Sequence, residues 1–296
     1  MEIFERATNP WGQDVLVRIS WDLFYVALAA GAVFCLFHLV LRPRWLKRER
    51  TAAAAPAGSA AAASGAAGAG LPEKVVRHGL AARAFHGVMA ISMIVLILTG
   101  FLPKIGIQFG SWLTLHWVFG IVLIASIVFH MIHATIFLRL RDIWIGPRDV
   151  KEWFQEMRHT LGGGPAPVKP GKYPVDHKLY HHAVTVAGFA AMITGVLMLY
   201  RIDTPIVARN PYLYTDPTWG WIYVLHGVGG VLLVGLTITH VYFAILPEKR
   251  WITRSMIKGW ITRQELLEHH DPKRWDAAGG AERSEAATTR AARETV

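Results

Sequence analysis

The sequence predicts an all-α membrane protein, a four-helix transmembrane bundle with one extra N-terminal transmembrane helix. Three observations predict it. The 296 residues are 53% hydrophobic and only 18% charged, too little charge to cover a soluble domain of that length. The apolar residues gather into five blocks, each near the ~20 residues that carry a helix across the bilayer core. Lysine and arginine collect on alternate connections between the blocks. A soluble enzyme is thereby excluded.

The first block is Trp21–Leu41. A cleaved secretion signal needs a basic stretch before its apolar core, whereas residues 1–20 carry Glu2, Glu5 and Asp14 against only Arg6 and Arg18. The basic cluster Arg42, Arg44, Lys47, Arg48 and Arg50 follows instead, so residues 1–50 read as an N-terminal segment around a retained helix at 21–41. Residues 51–71 are rich in Ala and Gly, have no apolar face to bury, and read as a flexible linker. Residues 72–275 form the four-helix unit, with spans at about 84–102, 112–138, 180–200 and 219–246. Gly162–Gly164 with Pro165, Pro167 and Pro170 mark a loop between its second and third spans. The polar residues 276–296 read as a disordered tail.

Charge sets the expected topology. Residues 42–83, 139–178 and 247–296 hold 8, 8 and 10 Lys and Arg, 26 in all; residues 1–20, 103–111 and 201–218 hold 2, 1 and 2. That asymmetry predicts an N-terminus outside, with the C-terminus and both long connections on the cytoplasmic side of the membrane. The net charge of +10 is then a matter of topology and asks for no nucleic-acid partner. Trp112, Trp117, Trp219, Trp221 and Tyr223 read as an outer aromatic belt. The lone cysteine, Cys35, excludes an intrachain disulfide, an iron–sulfur cluster and a four-cysteine zinc site, and no Cys-x-x-Cys-His is present to tether a haem covalently.

Ionisable side chains inside a membrane are costly and mark functional sites. Spans two to five hold or border His86, His116, His130, His133, His181, His182, His226 and His240. A lone intramembrane histidine commonly bridges helices by a hydrogen bond. Two pairs ask for more: His116/His130 and His226/His240 are each 14 residues apart on spans that run in the same direction. That spacing puts both side chains of a pair on nearly one helix face and about 21 Å apart along the axis. Such a separation suits ligands of two haems stacked across a bilayer and rules out convergence on one zinc ion. By depth, His116 and His226 form an outer pair, and the inner His240 has two candidate partners, His86 and His130. His38, His133, His159, His269 and His270 read as ordinary polar or surface residues. Gly120, Gly227, Gly229 and Gly230 suit either a porphyrin edge or close helix packing. Arg83 and Arg201, at opposite surfaces, are candidate contacts for haem propionates.

The pattern resembles the cytochrome b (gamma) subunit of respiratory formate dehydrogenases. Arg83-Ala-Phe-His86, Leu115-His116 with Phe119-Gly120-Ile121, Leu225-His226-Gly-Val-Gly-Gly and Ile238-Thr-His240-Val-Tyr-Phe carry the resemblance. Gly171-Lys-Tyr173, Thr194-Gly195-Val196, Ser255-Met-Ile-Lys-Gly259, His269-His270 and Lys273-Arg-Trp275 extend it across residues 77–275. The resemblance implies two b-type haems, the outer held by His116 and His226 and the inner by His86 and His240, with His130 an alternative inner ligand. It implies partners too: an iron–sulfur subunit and a catalytic subunit outside, and membrane quinone as electron acceptor near the cytoplasmic side. The chain would then be an electron-transfer anchor and not a complete enzyme. Its quinone pocket would involve His240 and the Pro174–Lys178 segment, where Asp176 and His177 replace the family's usual small or amide residues; an acid and an imidazole there suit proton delivery to a reduced quinone. Cytochromes b of hydrogenases and thiosulfate reductase share this design. A His-lined metal or proton transporter is the rival of another class, but the spans contain almost no carboxylate.

Overall fold

In hydrocarbon every backbone N–H and C=O must find its partner within the chain, so apolar blocks of this length have only the helix open to them. The computed structural model describes residues 3–53, 70–107, 109–161, 163–165 and 167–275. In chain order its elements are strands β1 (Phe4–Thr8) and β2 (Asp14–Ile19), helix α1 (Asp22–Ala53), strand β3 (Lys74–Val76), and helices α2 (Leu80–Phe101), α3 (Trp112–Phe137), α4 (Pro147–Thr160), α5 (Val175–Met198), α6 (Asp216–Ile245) and α7 (Arg250–Lys258). Strand β4 (Trp260–Thr262) and helices α8 (Arg263–His269) and α9 (Pro272–Trp275) complete it. Among the described residues five helices, α1, α2, α3, α5 and α6, are long and apolar enough to cross a membrane. The fold is an all-α membrane bundle. Residues 54–69 of the expected linker and the expected tail, 276–296, lie outside the described residues.

Two compact units divide the chain, each built from stretches distant in sequence. The first holds residues up to Leu36, Phe85–His133 and His181–Tyr242. Here β1 and β2 pair as an antiparallel hairpin that the sequence pattern did not suggest. Its turn is tied by the Asn9 side chain, which accepts from the backbone N–H of Trp11 and Gln13, and Gly12 supplies the left-handed residue at φ 78°. The hairpin rests on the first turns of α6. The Asn9 amide donates to Asp216 at 3.0 Å, Phe4 meets the edge of Trp221, and Gly220 leaves room for the Leu16 backbone that a Cβ would strike. Helix α1 packs within the chain: Phe24 stacks on Phe101 with centroids 4.3 Å apart, and Gly31 faces Ile238. Gly229 lets α6 approach α5 closely, because a Cβ there would lie 2.9 Å from the Ala187 carbonyl. Gly227 makes room for Ile19, and Gly230 faces Phe101. These glycines serve helix and hairpin packing. Trp219, expected in the aromatic belt, is instead a core residue, 2% exposed, with its indole N–H on the Pro211 carbonyl.

The second unit holds Phe37–Ala84, Ala134–Tyr180 and the residues from Phe243 onward. Strand β3 pairs with β4, and Leu71, Val75, Ile261, Leu266 and Trp275 form a small apolar core. The capping box of Thr262 and Glu265 starts α8. Gly259 ends α7 at φ 89°, against the His78 carbonyl where a Cβ would have 2.9 Å. Arg42 of α1 makes a two-pronged ion pair with Glu248, both bonds 2.7 Å. The connection between α3 and α5 carries α4 ahead of the glycine- and proline-marked stretch from 162 to 170.

His270 departs most from expectation. It is 2% exposed, not a surface residue. Its Nδ1–H donates to the Gly171 carbonyl at 2.7 Å, and its Nε2 accepts from Arg77 at 2.9 Å. The Arg77 guanidinium is itself buried between the rings of Trp251 and Trp275, which face its charge with their π electrons. Burial, and then the Arg77 charge, push the His270 pKa down to about 3, so the folded unit holds this ring neutral.

Unfolding frees His270 to titrate near 6.5, so its contribution to stability is complete above that pH and is lost as pH falls toward 3. Hydrogen exchange over residues 255–275, corrected for intrinsic rate, should therefore quicken between pH 7 and pH 5. His270→Asn, which does not titrate, should flatten that dependence. His270→Ala strands the Arg77 donor and should cost about 1–3 kcal/mol at neutral pH.

Candidate functional site

Four intramembrane histidines meet in two pairs. His116 of α3 and His226 of α6 have ring centroids 6.1 Å apart with planes at 71°; His86 of α2 and His240 of α6 are 6.2 Å apart at 46°. Helix α6 thus supplies one ring to each pair, 14 residues apart, and α2 and α3 supply the opposite rings. His130, the alternative inner ligand, stacks on Phe85 at 4.2 Å and 10°. His133 likewise stacks on Phe129, and His38 meets the edge of Phe243.

The outer rings are held by neighbours that fix which nitrogen is free. The Thr99 hydroxyl donates to the Val95 carbonyl at 2.6 Å, leaving its oxygen to accept from His116 Nδ1–H at 2.9 Å. On α5 the Thr194 hydroxyl donates to Ala190 at 2.5 Å, and His226 Nδ1–H has two acceptors, the Ala191 carbonyl at 2.9 Å and Thr194 Oγ1 at 3.1 Å. A proton on Nδ1 leaves Nε2 as the lone-pair nitrogen of each ring. The residue after each threonine is glycine: a Cβ on Gly100 would lie 3.4 Å from His116 Cε1, and one on Gly195 would lie 3.2 Å from His226 Cε1. Two Thr-Gly steps, Thr99-Gly100 and Thr194-Gly195, therefore seat the two outer rings in the same manner. The dipeptide repeat is visible in the sequence; its role required the fold.

These residues fit a haem. A metal–imidazole bond of about 2 Å, plus about 1.1 Å from ring nitrogen to ring centre, places the centroids of two opposed ligands about 6 Å apart. Both pairs have that separation. Among the described residues no three His, Cys, Asp or Glu side chains gather around one point, as a zinc site requires. A porphyrin supplies four nitrogens to its iron, so two imidazoles suffice.

The remaining candidates are placed as follows. Arg83 donates to the Ile257 carbonyl at 2.5 Å, at the end of α7. Arg201 donates to the Pro211 carbonyl at 3.2 Å and lies over the ring of Trp219. Asp176 and His177 stand in the first turn of α5, where the Asp176 carboxylate accepts from the His177 backbone N–H. No motif marks Glu156 of α4, whose pKa is raised by desolvation and then by the Asp176 charge. Outside the spans, burial followed by the Arg77 charge also lowers the Lys172 pKa to about 8.

Thr99→Val removes the hydroxyl acceptor of His116 Nδ1 and leaves the Leu96 carbonyl, as Thr194→Val leaves His226 the Ala191 carbonyl. Loss of such a neighbour typically costs a metal site about 10–100-fold in affinity. Thr99→Val should therefore weaken haem retention in that range and raise the midpoint potential of one haem, as its ligand donates less electron density. Thr194→Val should act alike, since each ring keeps one backbone carbonyl, and spectroelectrochemical titration with haem quantification reads both.

Residues 77–259, more than half of the chain, match the family described as prokaryotic cytochrome b561. No curated protein matches the chain closely enough to stand as a relative. The match covers α2, α3, α5 and α6 and all four paired histidines. The chain belongs to the prokaryotic cytochrome b561 family, and is a multi-pass membrane cytochrome b that binds b-type haem and transfers electrons.

Proposed function

We infer that this chain is the di-haem membrane anchor of a multi-subunit oxidoreductase of the formate dehydrogenase type. It carries electrons between an iron–sulfur partner outside and quinone near the cytoplasmic side of the inner membrane. The observation that carries the reading is the doubled ligand geometry: two histidine pairs at 6.1 and 6.2 Å, set 14 residues apart on one helix. His116 and His226 would hold the outer b haem, and His86 and His240 the inner one. Haem bound between two imidazoles supplies one-electron exchange and keeps no open position for a substrate.

The chain's own residues do the rest. Thr99, Thr194 and the Ala191 carbonyl hold the Nδ1 protons of the outer rings and so would leave Nε2 to the haem iron. The charge asymmetry of 26 basic residues against 5 supports an N-terminus outside and a cytoplasmic C-terminus. At the start of α5, Asp176, His177 and the Glu156 carboxyl form a proton-holding group suited to quinone reduction, which consumes protons. The raised pKa of Glu156 supports that role, because a carboxyl that keeps its proton nearer neutral pH can deliver it.

Haem quantification on single alanine variants tests the assignment. His116→Ala or His226→Ala should each leave one haem of two, and His86→Ala or His240→Ala should leave the other. His130→Ala should keep both; loss of a haem in that variant alone would move the inner ligand to His130. Asp176→Asn and Glu156→Gln should slow quinone reduction several-fold with haem content unchanged. Co-purification of an iron–sulfur partner that passes electrons from formate would establish the complex, and transfer from hydrogen or thiosulfate chemistry instead would reassign it.

A further inference from the structure

Helix α4 lies between two spanning helices and belongs to neither haem pair. It is strongly sided. Taken at 100° per residue, Pro147, Val150, Phe154, Met157 and Leu161 fall within about 80° of arc. This stripe is outward: Val150 is 45% exposed, Phe154 51%, Met157 37% and Leu161 80%. Lys151 and Arg158 flank it along one edge and are exposed. The acidic residues Asp149, Glu152 and Glu156 occupy the opposite side. Two of them are pinned to the protein, Asp149 by Lys178 at 2.9 Å and Glu152 by Arg274 at 3.0 Å.

That division is specific. The ion pairs turn Asp149 and Glu152 toward the chain's own basic residues, Glu156 is exposed on that same side, and the opposite side is apolar with a basic margin. We propose that α4 is an interfacial helix whose Val150–Phe154–Met157–Leu161 face lies in the leaflet beside it, with Lys151 and Arg158 on anionic lipid headgroups. Both neighbouring segments, α3 and α5, are spans, and nine residues, 138–146, separate α4 from the end of α3, so the helix starts near a bilayer surface. A stripe of this kind gains from burial at the acyl boundary, and each basic residue near an anionic surface adds attraction that salt screens. Trp144, 68% exposed just before α4, extends the same apolar margin.

The test uses the full-length, haem-loaded protein in nanodiscs, with Cys35→Ala to clear the lone native thiol. Spin labels are attached at Phe154→Cys, at Leu161→Cys, and at His159→Cys on the opposite face. Collision with oxygen, which concentrates in lipid, is compared with collision with a water-soluble nickel chelate. The labels at 154 and 161 should favour oxygen several-fold over the label at 159, and should do so more in discs containing phosphatidylglycerol than in phosphatidylcholine alone. Lys151→Ala with Arg158→Ala should erase the difference between the two lipids, and low ionic strength should enlarge it. Retained haem absorbance certifies that each variant is folded. Equal nickel access at all three positions would overturn the proposal. So would protection at 154 and 161 that rises with the number of chains per disc, which would make the face a contact between copies.

Discussion

An imidazole in hydrocarbon must have somewhere to put its two nitrogens, and the whole membrane unit is arranged around that constraint. Water is absent, and a stranded polar group there costs several kcal/mol. The bundle satisfies the outer rings on one side only. Val95 and Ala190 take the threonine hydroxyl protons, the threonine oxygens and the Ala191 carbonyl take the Nδ1 protons, and Nε2 keeps its lone pair. Helices α2, α3, α5 and α6 are held at the distances those bonds require. Gly229 permits the α5–α6 approach, and Gly100 and Gly195 leave the rings space to turn.

The spans and their count were legible because the bilayer imposes a length and forbids exposed backbone, so block length reads almost directly as element. The pairing of His116 with His226 was legible for a related reason: a 14-residue spacing on two helices running the same way puts them at matching depth. The inner partner was not, since His86 and His130 lie at similar depth and nothing in spacing ranks them. The fold brings the His86 ring opposite His240 and sets His130 on Phe85. What decides this is helix rotation, which depends on packing across α2, α3 and α6 together. The N-terminal hairpin was illegible in another way. Its strands alternate weakly, with burial only at Ile19, and its stability comes from seating on Gly220 and Gly227 of a helix some 200 residues away.

Composition misled where polar residues are buried in company. His269-His270 and the basic residues around them look solvated in sequence, and Trp219 looks like an interfacial tryptophan. In the fold the second unit builds its core partly from Arg77, whose charge is spread over Trp251 and Trp275. No hydropathy average finds such a group, because its members are favourable only together. Helix α4 was missed because its apolar stripe is no denser than that of an ordinary surface helix. The pinned acidic face is what gives it a direction.

His270 supplies the contrast that separates a structural histidine from a ligand. Both kinds are withdrawn from solvent, His270 almost wholly and His116 in part, and both donate Nδ1–H to an acceptor: Gly171 for His270, Thr99 for His116. They differ at the second nitrogen. In His270 it is spent on Arg77, so the ring is complete within the protein and the cation beside it repels any further positive charge. In His116 and His226 it keeps its lone pair, and the ring centroids stand 6.1 Å apart. Two neutral imidazoles cannot satisfy each other over that gap, which is too long for a hydrogen bond between them and matches a metal bonded to both. Burial alone never distinguished these residues; the destination of Nε2 does.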